Sequence, residues 1–243
     1  MTSHSFLKAL VLSLVVSVAP SVAQAHYLWL EQDKSGGHLY FGEYEELLRE
    51  RSPGRLDEMP GPEIRVKTTM GEARAVQPRR EAGGFALAGL PRGGDVIATE
   101  TGYEVKDWTK SGLGIVKPMF YARLIGSVPT SAAEAMTLDI LPTGKAGEFQ
   151  VVFRGAPLTG IDVRIIAANA WTREASADKD GKVHFDLPWR GQYILHVVKL
   201  EKATGEFKGV AYEAVRHRAT ATFNVSRGPA TRIPAKWNAS TPH

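Results

Sequence analysis

Histidine is the residue type in this sequence with the most potential for chemistry. The chain contains seven histidines and no cysteine, which excludes disulfides, thiolate metal sites, cysteine nucleophiles and iron–sulfur clusters. It contains no G-x-S-x-G sequence and no complete phosphate-binding glycine loop. No serine, histidine and acidic residue can be grouped by spacing into a catalytic triad. Metal binding through histidine is therefore the chemistry that the sequence favours.

His26 gains a second donor group if it is the first residue of the mature protein. Residues 1–25 are typical of a secretory signal peptide, because Lys8 precedes an apolar run from Ala9 to Ala19 and residues 23–25 form an A-x-A cleavage site. The apolar run is shorter than the roughly 20 residues that cross a bilayer, so we expect an exported, periplasmic protein with no transmembrane segment in its mature form. Cleavage would free the α-amine of His26, which together with the imidazole Nδ1 can chelate Ni(II) or Cu(II).

The last predicted hairpin supplies two further candidate ligands. We expect strands over residues 192–200 and 215–225, and a turn close to Gly205 would place His196 opposite His217. Their Cβ atoms would then lie roughly 4.5 to 5.5 Å apart. His217 alternates with apolar residues and is expected to face the core. The sequence therefore predicts a metal site of His26, His217 and His196, although two core histidines bonded to the backbone are an open alternative. We expect His38, His184 and His243 to take no part.

The elements that must position these histidines are predicted to be strands. Short apolar runs bounded by glycine, proline and aspartate recur along the chain, and sustained helical periodicity is rare. We predict an all-β protein with two β-sandwich-like domains, residues 26–140 and 147–226, separated by the turn-rich residues 141–147. The turn chemistry of the second domain is typical of an immunoglobulin-like or transthyretin-like sandwich. Residues 227–243 form a basic, proline-containing tail, and a short helix is expected from Glu43 to Arg51.

The charge distribution argues against a nucleic-acid partner. The sequence has 30 lysines and arginines against 26 aspartates and glutamates, a formal net charge of +4. The basic residues are scattered and accompany no nucleic-acid-binding motif. A metal ion is the partner that the histidines favour instead.

Four stretches of the sequence resemble the exported nickel-uptake-transporter-associated proteins. They are residues 25–31 (AHYLWLE), 40–43 (YFGE), 117–122 (KPMFYA) and the ending 212–223, around Arg216-His217-Arg218-Ala219-Thr220. That family carries a domain of unknown function over nearly the whole mature chain. The resemblance implies a periplasmic all-β protein associated with nickel or cobalt uptake, with a membrane metal transporter as a partner. It places metal ligands at His26 and His217, whereas His196 follows from the hairpin alone.

Three functions are compatible with these observations. The first is a periplasmic nickel- or copper-binding protein that supports metal uptake or handling. The second is a copper-dependent oxidase resembling the polysaccharide monooxygenases, which also use an N-terminal histidine and a second histidine on a β-sandwich. The third is a β-sandwich interaction module whose histidines are structural.

Overall fold

The regular secondary structure of the described residues is almost entirely β-strand, as the sequence predicts. The structure, a computed structural model, describes residues 26–68, 73–127, 136–234 and 238–239; the predicted signal peptide and His243 lie outside these residues. The strands of the first half are β1 (Tyr27–Gln32), β2 (Gly37–Glu43), β3 (Leu48–Arg49), β4 (Glu63–Lys67), β5 (Ala73–Val76), β6 (Arg79–Glu81), β7 (Gly84–Leu87), β8 (Asp95–Glu100), β9 (Lys106–Asp107) and β10 (Ile115–Leu124).

The second half continues the same pattern. Its strands are β11 (Leu138–Pro142), β12 (Glu148–Phe153), β13 (Ala156–Pro157), β14 (Asp162–Ala167), β15 (Thr172–Ser176), β16 (Lys182–His184), β17 (Gly191–Glu201), β18 (Gly205–Phe207), β19 (Val210–Tyr212), β20 (Ala214–Val225) and β21 (Asn238–Ala239). Two short 3-10 helices, Arg55–Glu58 and Thr109–Ser111, accompany them. None of the described helices is long and apolar enough to cross a membrane.

Three layers of sheet make up the fold. The central layer is a nine-stranded sheet in the order β15-β14-β17-β20-β10-β8-β4-β5, with β9 added to β10. A six-stranded sheet, in the order β21-β3-β2-β7-β6 with β1 paired to β2, packs on one face of the central sheet, over β10, β8, β4 and β5. A four-stranded sheet of β11, β12, β13 and β16 packs on the other face. The fold is therefore a pair of sandwiches that share their middle sheet.

Residue parity decides which layer a side chain of the central sheet contacts. On β10, Phe120 and Ala122 belong to the core beneath the six-stranded sheet, whereas Tyr121 belongs to the core beneath the four-stranded sheet. This follows from the pleat, because successive side chains of a strand point to opposite faces. On β14, β17 and β20 the odd-numbered apolar residues likewise pack toward the four-stranded sheet. The even-numbered side chains of β14, β17 and β20 therefore lie on the opposite face of the central sheet, on which β1 packs.

The helix predicted from Glu43 to Arg51 is not formed. Residues 44–47 make a turn, Leu47 has a φ of 55°, and β3 returns to pair with the end of β2, Glu43 opposite Leu48. Gly42 permits this close return, since a Cβ atom at that position would lie 2.2 Å from the Leu48 carbonyl oxygen. The prediction was wrong because it rested on the local helix propensity of these residues, whereas the strand pairing that Gly42 permits decides their conformation.

The turn-rich residues 141–147 connect two strands of one sheet. They join β11 to β12, which pair in antiparallel fashion with Leu141 opposite Gln150. The central sheet also crosses from one half of the chain to the other, because β10 and β20 pair in parallel. The described part of the predicted tail lies against the fold: Ala230 bridges to Arg190, and β21 pairs with β3.

Candidate metal centre

His26 lies directly before β1 and is held in place by its neighbours on the central sheet. The Nη1 atom of Arg218 donates to the carbonyl oxygen of His26 at 2.7 Å, and the hydroxyl of Thr220 donates to the carbonyl oxygen of Leu28 at 2.7 Å. These two even-numbered residues of β20 fix the start of β1. Only 8% of His26 is exposed, so its imidazole sits in a defined environment.

Two carboxylates flank the His26 ring. The register of β1 and β2 pairs Tyr27 with Gly42, which brings Glu43 beside His26, and the return through β3 brings Glu50 to the other side of the ring. His26 Nε2 hydrogen-bonds Glu50 Oε1. His26 Nδ1 lies 2.8 Å from Glu43 Oε1, but the angles do not form a hydrogen bond, and Nδ1 is a buried nitrogen without a hydrogen-bond partner. The adjacent His26 ring lowers the pKa of Glu43, against the effect of its burial.

This arrangement fits a metal ligand held by a supporting carboxylate. A histidine that binds a metal through one ring nitrogen usually donates its other N–H to a carboxylate, which fixes the tautomer. Glu50 supplies that carboxylate, so the lone pair of Nδ1 is left available. Two donors bound at right angles, each about 2.0 to 2.1 Å from one ion, lie about 2.8 to 3.0 Å apart. The separation of Nδ1 from Glu43 Oε1 agrees with that value.

Side chains alone do not complete the site. Among the described residues, no group of three or more histidine, aspartate or glutamate side chains is arranged to hold a metal ion. A third donor would have to be the α-amine that cleavage before His26 creates. A cavity of about 10 Å³, lined by Phe41, Tyr103 and Trp108 among others, adjoins the His26 ring and has room for about one water-sized group.

The predicted pairing of His196 with His217 is wrong. The strands β17 and β20 pair so that His196 faces Thr220 and His217 faces Lys199. The chain reverses at Lys208-Gly209, between β18 and β19, and not near Gly205. The register also changes by one residue between the β18–β19 ladder and the β17–β20 ladder, so the partner of His217 is Lys199, three residues from His196. Because three is odd, the two histidines project from opposite faces of the sheet. They cannot share one metal ion.

His217 faces the four-stranded layer, on the side of the central sheet opposite to Arg218 and His26. Its Nδ1 lies 3.1 Å from the Tyr121 hydroxyl and its Nε2 lies 3.0 Å from Glu201 Oε2. Its ring also contacts Phe153 edge-on. Burial lowers the pKa of His217, and Glu201 opposes that effect. The expectation that His217 points inward agrees with this geometry, but the sheet separates it from His26.

His196 faces the same layer as His26 without contributing to the same centre. Its ring stacks on Tyr27, with centroids 4.3 Å apart, and its buried Nε2 has no hydrogen-bond partner. Burial, and after it the charges of Arg218, Arg164 and Arg216, lower the pKa of His196 well below its usual value. His196 is a neutral imidazole beside three guanidinium groups.

Sequence reasoning missed Glu43 and Glu50 as parts of the site. The observed register of β1 and β2 corresponds to a hairpin turn centred between Lys34 and Ser35. Predicting that turn would have placed His26 beside Glu43. Glu50 could not be found in this way, since the residues around it resemble a helix. Comparison of the chain with family models, curated proteins and solved structures finds no match.

Proposed function

We propose that this protein binds a divalent transition metal, Ni(II) or Cu(II), through the mature N-terminus at His26. The donors are the α-amine and Nδ1 of His26 together with Glu43, and Glu50 orients the imidazole. The observation that carries the proposal is the buried Nδ1 atom, which has no hydrogen-bond partner although a carboxylate oxygen lies 2.8 Å away. Nitrogen donors and one carboxylate suit both ions.

The proposal includes export, because the α-amine exists only after cleavage between residues 25 and 26. In this view the protein acts in the bacterial periplasm and supports metal uptake or handling, with a membrane metal transporter as its partner, as the family resemblance implies. The oxidase alternative loses its main support, since it depends on a second histidine beside the first and His196 and His217 lie elsewhere.

The amine can be tested directly with two versions of the protein. One begins at His26 and the other carries one extra residue before it; each is titrated with Cu(II) and Ni(II) by calorimetry. We expect one stoichiometric site in the first version and at least tenfold weaker binding in the second, because acylation of the amine removes a donor and breaks the chelate ring.

Two variants of the processed protein identify the side-chain donor. Glu43→Gln should weaken binding about tenfold or more, since an amide oxygen is a poorer ligand for these ions than a carboxylate. His38→Ala is the matched control, because His38 lies on the same sheet and bonds Ser35 rather than the site. Equal, weak binding by the processed and extended versions would contradict the proposal and leave His26 as an imidazole paired with two carboxylates.

A further inference from the structure

A second, larger pocket opens on the face of the central sheet that β1 leaves uncovered. Its volume is about 310 Å³, at the lower end of the range for small-molecule sites. Its polar lining comes from even-numbered residues of four adjacent strands: Asp162, Arg164, Glu174, His196, Arg216 and Arg218. The register explains the cluster, because Glu174, Arg164 and His196 are successive neighbours across β15, β14 and β17.

Positive charge dominates this pocket. Three guanidinium groups face two carboxylates, and the charges of all three arginines help to lower the pKa of His196. A neutral imidazole offers one N–H donor and one acceptor. The lining residues therefore carry a formal charge of plus one, with Glu45 outside the lining paired to Arg164, and an imidazole that can donate to an anion.

Two of the three arginines already have partners within the protein. Arg164 contacts Glu45 Oε1 at 3.0 Å and Glu174 Oε1 at 2.7 Å, and Arg218 donates to the His26 carbonyl. Asp162 accepts a hydrogen bond from the Ser176 hydroxyl.

Arg216 differs in its hydrogen bonds: its guanidinium lies over the Trp108 ring, 5.4 Å from the centroid, but its Nη1 is buried without a hydrogen-bond partner, and so is the Nε2 atom of His196. Burial alone lowers the pKa of Arg216. A desolvated donor without a partner is costly, and a bound group that accepts hydrogen bonds would remove the cost.

We propose that this pocket binds a small molecule that carries a carboxylate or phosphate group. The guanidinium of Arg216 presents parallel N–H groups that match the two oxygens of such a group. His196 Nε2 donates a further hydrogen bond, and Asp162 and Glu174 set the opposite wall, where a hydroxyl or ammonium group of the ligand would fit. The inference does not depend on metal binding at His26.

Calorimetry of the metal-free protein with succinate and with inorganic phosphate tests the proposal, with sodium chloride at matched ionic strength as the reference. We expect at least one of the two anions to bind saturably and Arg216→Gln to weaken that binding at least tenfold. Arg173→Gln is the matched control, because Arg173 lies on β15 opposite Ile165, on the other face of the sheet, and its removal should leave binding unchanged.

A second variant keeps the test decisive if Arg216→Gln fails to fold. His196→Phe retains a ring to stack on Tyr27 and removes Nε2, and it should also weaken binding. Succinate binding without phosphate binding identifies a carboxylate ligand, and the reverse identifies a phosphate ligand. Binding of neither anion beyond the chloride reference, or equal binding by the Arg216→Gln and Arg173→Gln variants, would overturn the proposal.

Discussion

At the scale of single residues, the charge around His26 favours a cation. Glu43 and Glu50 flank the ring, and the guanidinium of Arg218 lies at the carbonyl side of the same residue. Burial lowers the pKa of Arg218 to about 9, and Glu43 opposes that shift, so the guanidinium stays protonated at neutral pH. The two carboxylates lie against the ring itself, whereas Arg216 and Arg218 line the adjoining cavity, so the negative charge that favours a cation is confined to the immediate surroundings of the imidazole.

Lys117 is the residue whose titration should be visible in the stability of the protein. It is 1% exposed, and its Nζ donates to the carbonyl oxygens of Thr101 and Tyr103. Burial lowers its pKa from 10.5 to about 8, although Glu100 and Glu104 act in the opposite direction. Because the unfolded chain then binds more protons between pH 8 and 10.5, this residue makes the folded state more stable as the pH rises through that range.

We predict that the free energy of unfolding of the wild type rises by about 2 kcal/mol more than that of Lys117→Met between pH 7 and 9.5. Urea denaturation at several pH values measures the difference. Lys110→Met, a change in the exposed 3-10 helix Thr109–Ser111, is the control and should follow the wild type. Parallel curves for the wild type and Lys117→Met would show that Lys117 does not titrate in this range.

At the scale of elements, the return of β3 onto β2 is what brings both carboxylates to His26. Gly42 has a φ of 150°, in a region that residues with a Cβ atom rarely adopt, and the Leu48 carbonyl lies where that atom would be. We predict that Gly42→Ala destabilises the protein by about 2 kcal/mol or more. The variant should also weaken metal binding, because Glu43 follows directly in the chain.

The control for this prediction is Gly61→Ala, where a Cβ atom would meet nothing within 4 Å. Thermal unfolding and the metal titration are measured for both variants. Unchanged stability of Gly42→Ala would show that β3 can move away from β2 without cost. The return of β3 onto β2 would then not be what brings Glu43 and Glu50 to His26.

The strands themselves were predictable from the sequence, whereas their registers were not. The expected strand over residues 192–200 corresponds to β17, and the expected strand over residues 215–225 corresponds to β20. Alternating apolar residues indicate such strands because one face is buried. Register depends on the position of the turn and on residues left unpaired beside it. The last turn lies at Lys208-Gly209, and the register changes by one residue between β18–β19 and β17–β20, which puts His196 and His217 on opposite faces.

At the scale of the whole molecule, one buried ion network joins the layers. Arg123 on β10 contacts Asp95 at the start of β8 and binds Asp139 on β11 through two nitrogens, at 3.0 and 2.6 Å. Asp139 also accepts hydrogen bonds from the backbone N–H groups of Met136 and Ile140. Since Arg123 and Asp139 are both almost fully buried, either charge left alone would be costly.

We predict that Asp139→Asn lowers the free energy of unfolding by about 3 to 5 kcal/mol, the usual cost of breaking a buried ion pair. Glu81→Gln, which removes the exposed partner of Arg79, should change it by less than about 1 kcal/mol. Calorimetry should show a single transition in the wild type, because both sandwiches share the central sheet. Two separate transitions, or a negligible effect of Asp139→Asn, would contradict this account.

The parallel pairing of β10 with β20 also dictates when the chain can fold. The two strands meet in the middle of the nine-stranded sheet, yet Val116 pairs with Ala214 across nearly a hundred intervening residues. Contacts between such distant segments slow folding, because a long loop must close before they form. The longest strand of the first half, β10, pairs with β8 on one side but lacks its neighbour on the other side until β20 has been synthesised. Until then one edge of β10, which lies in the middle of the finished sheet, is an unpaired strand edge that the growing chain exposes.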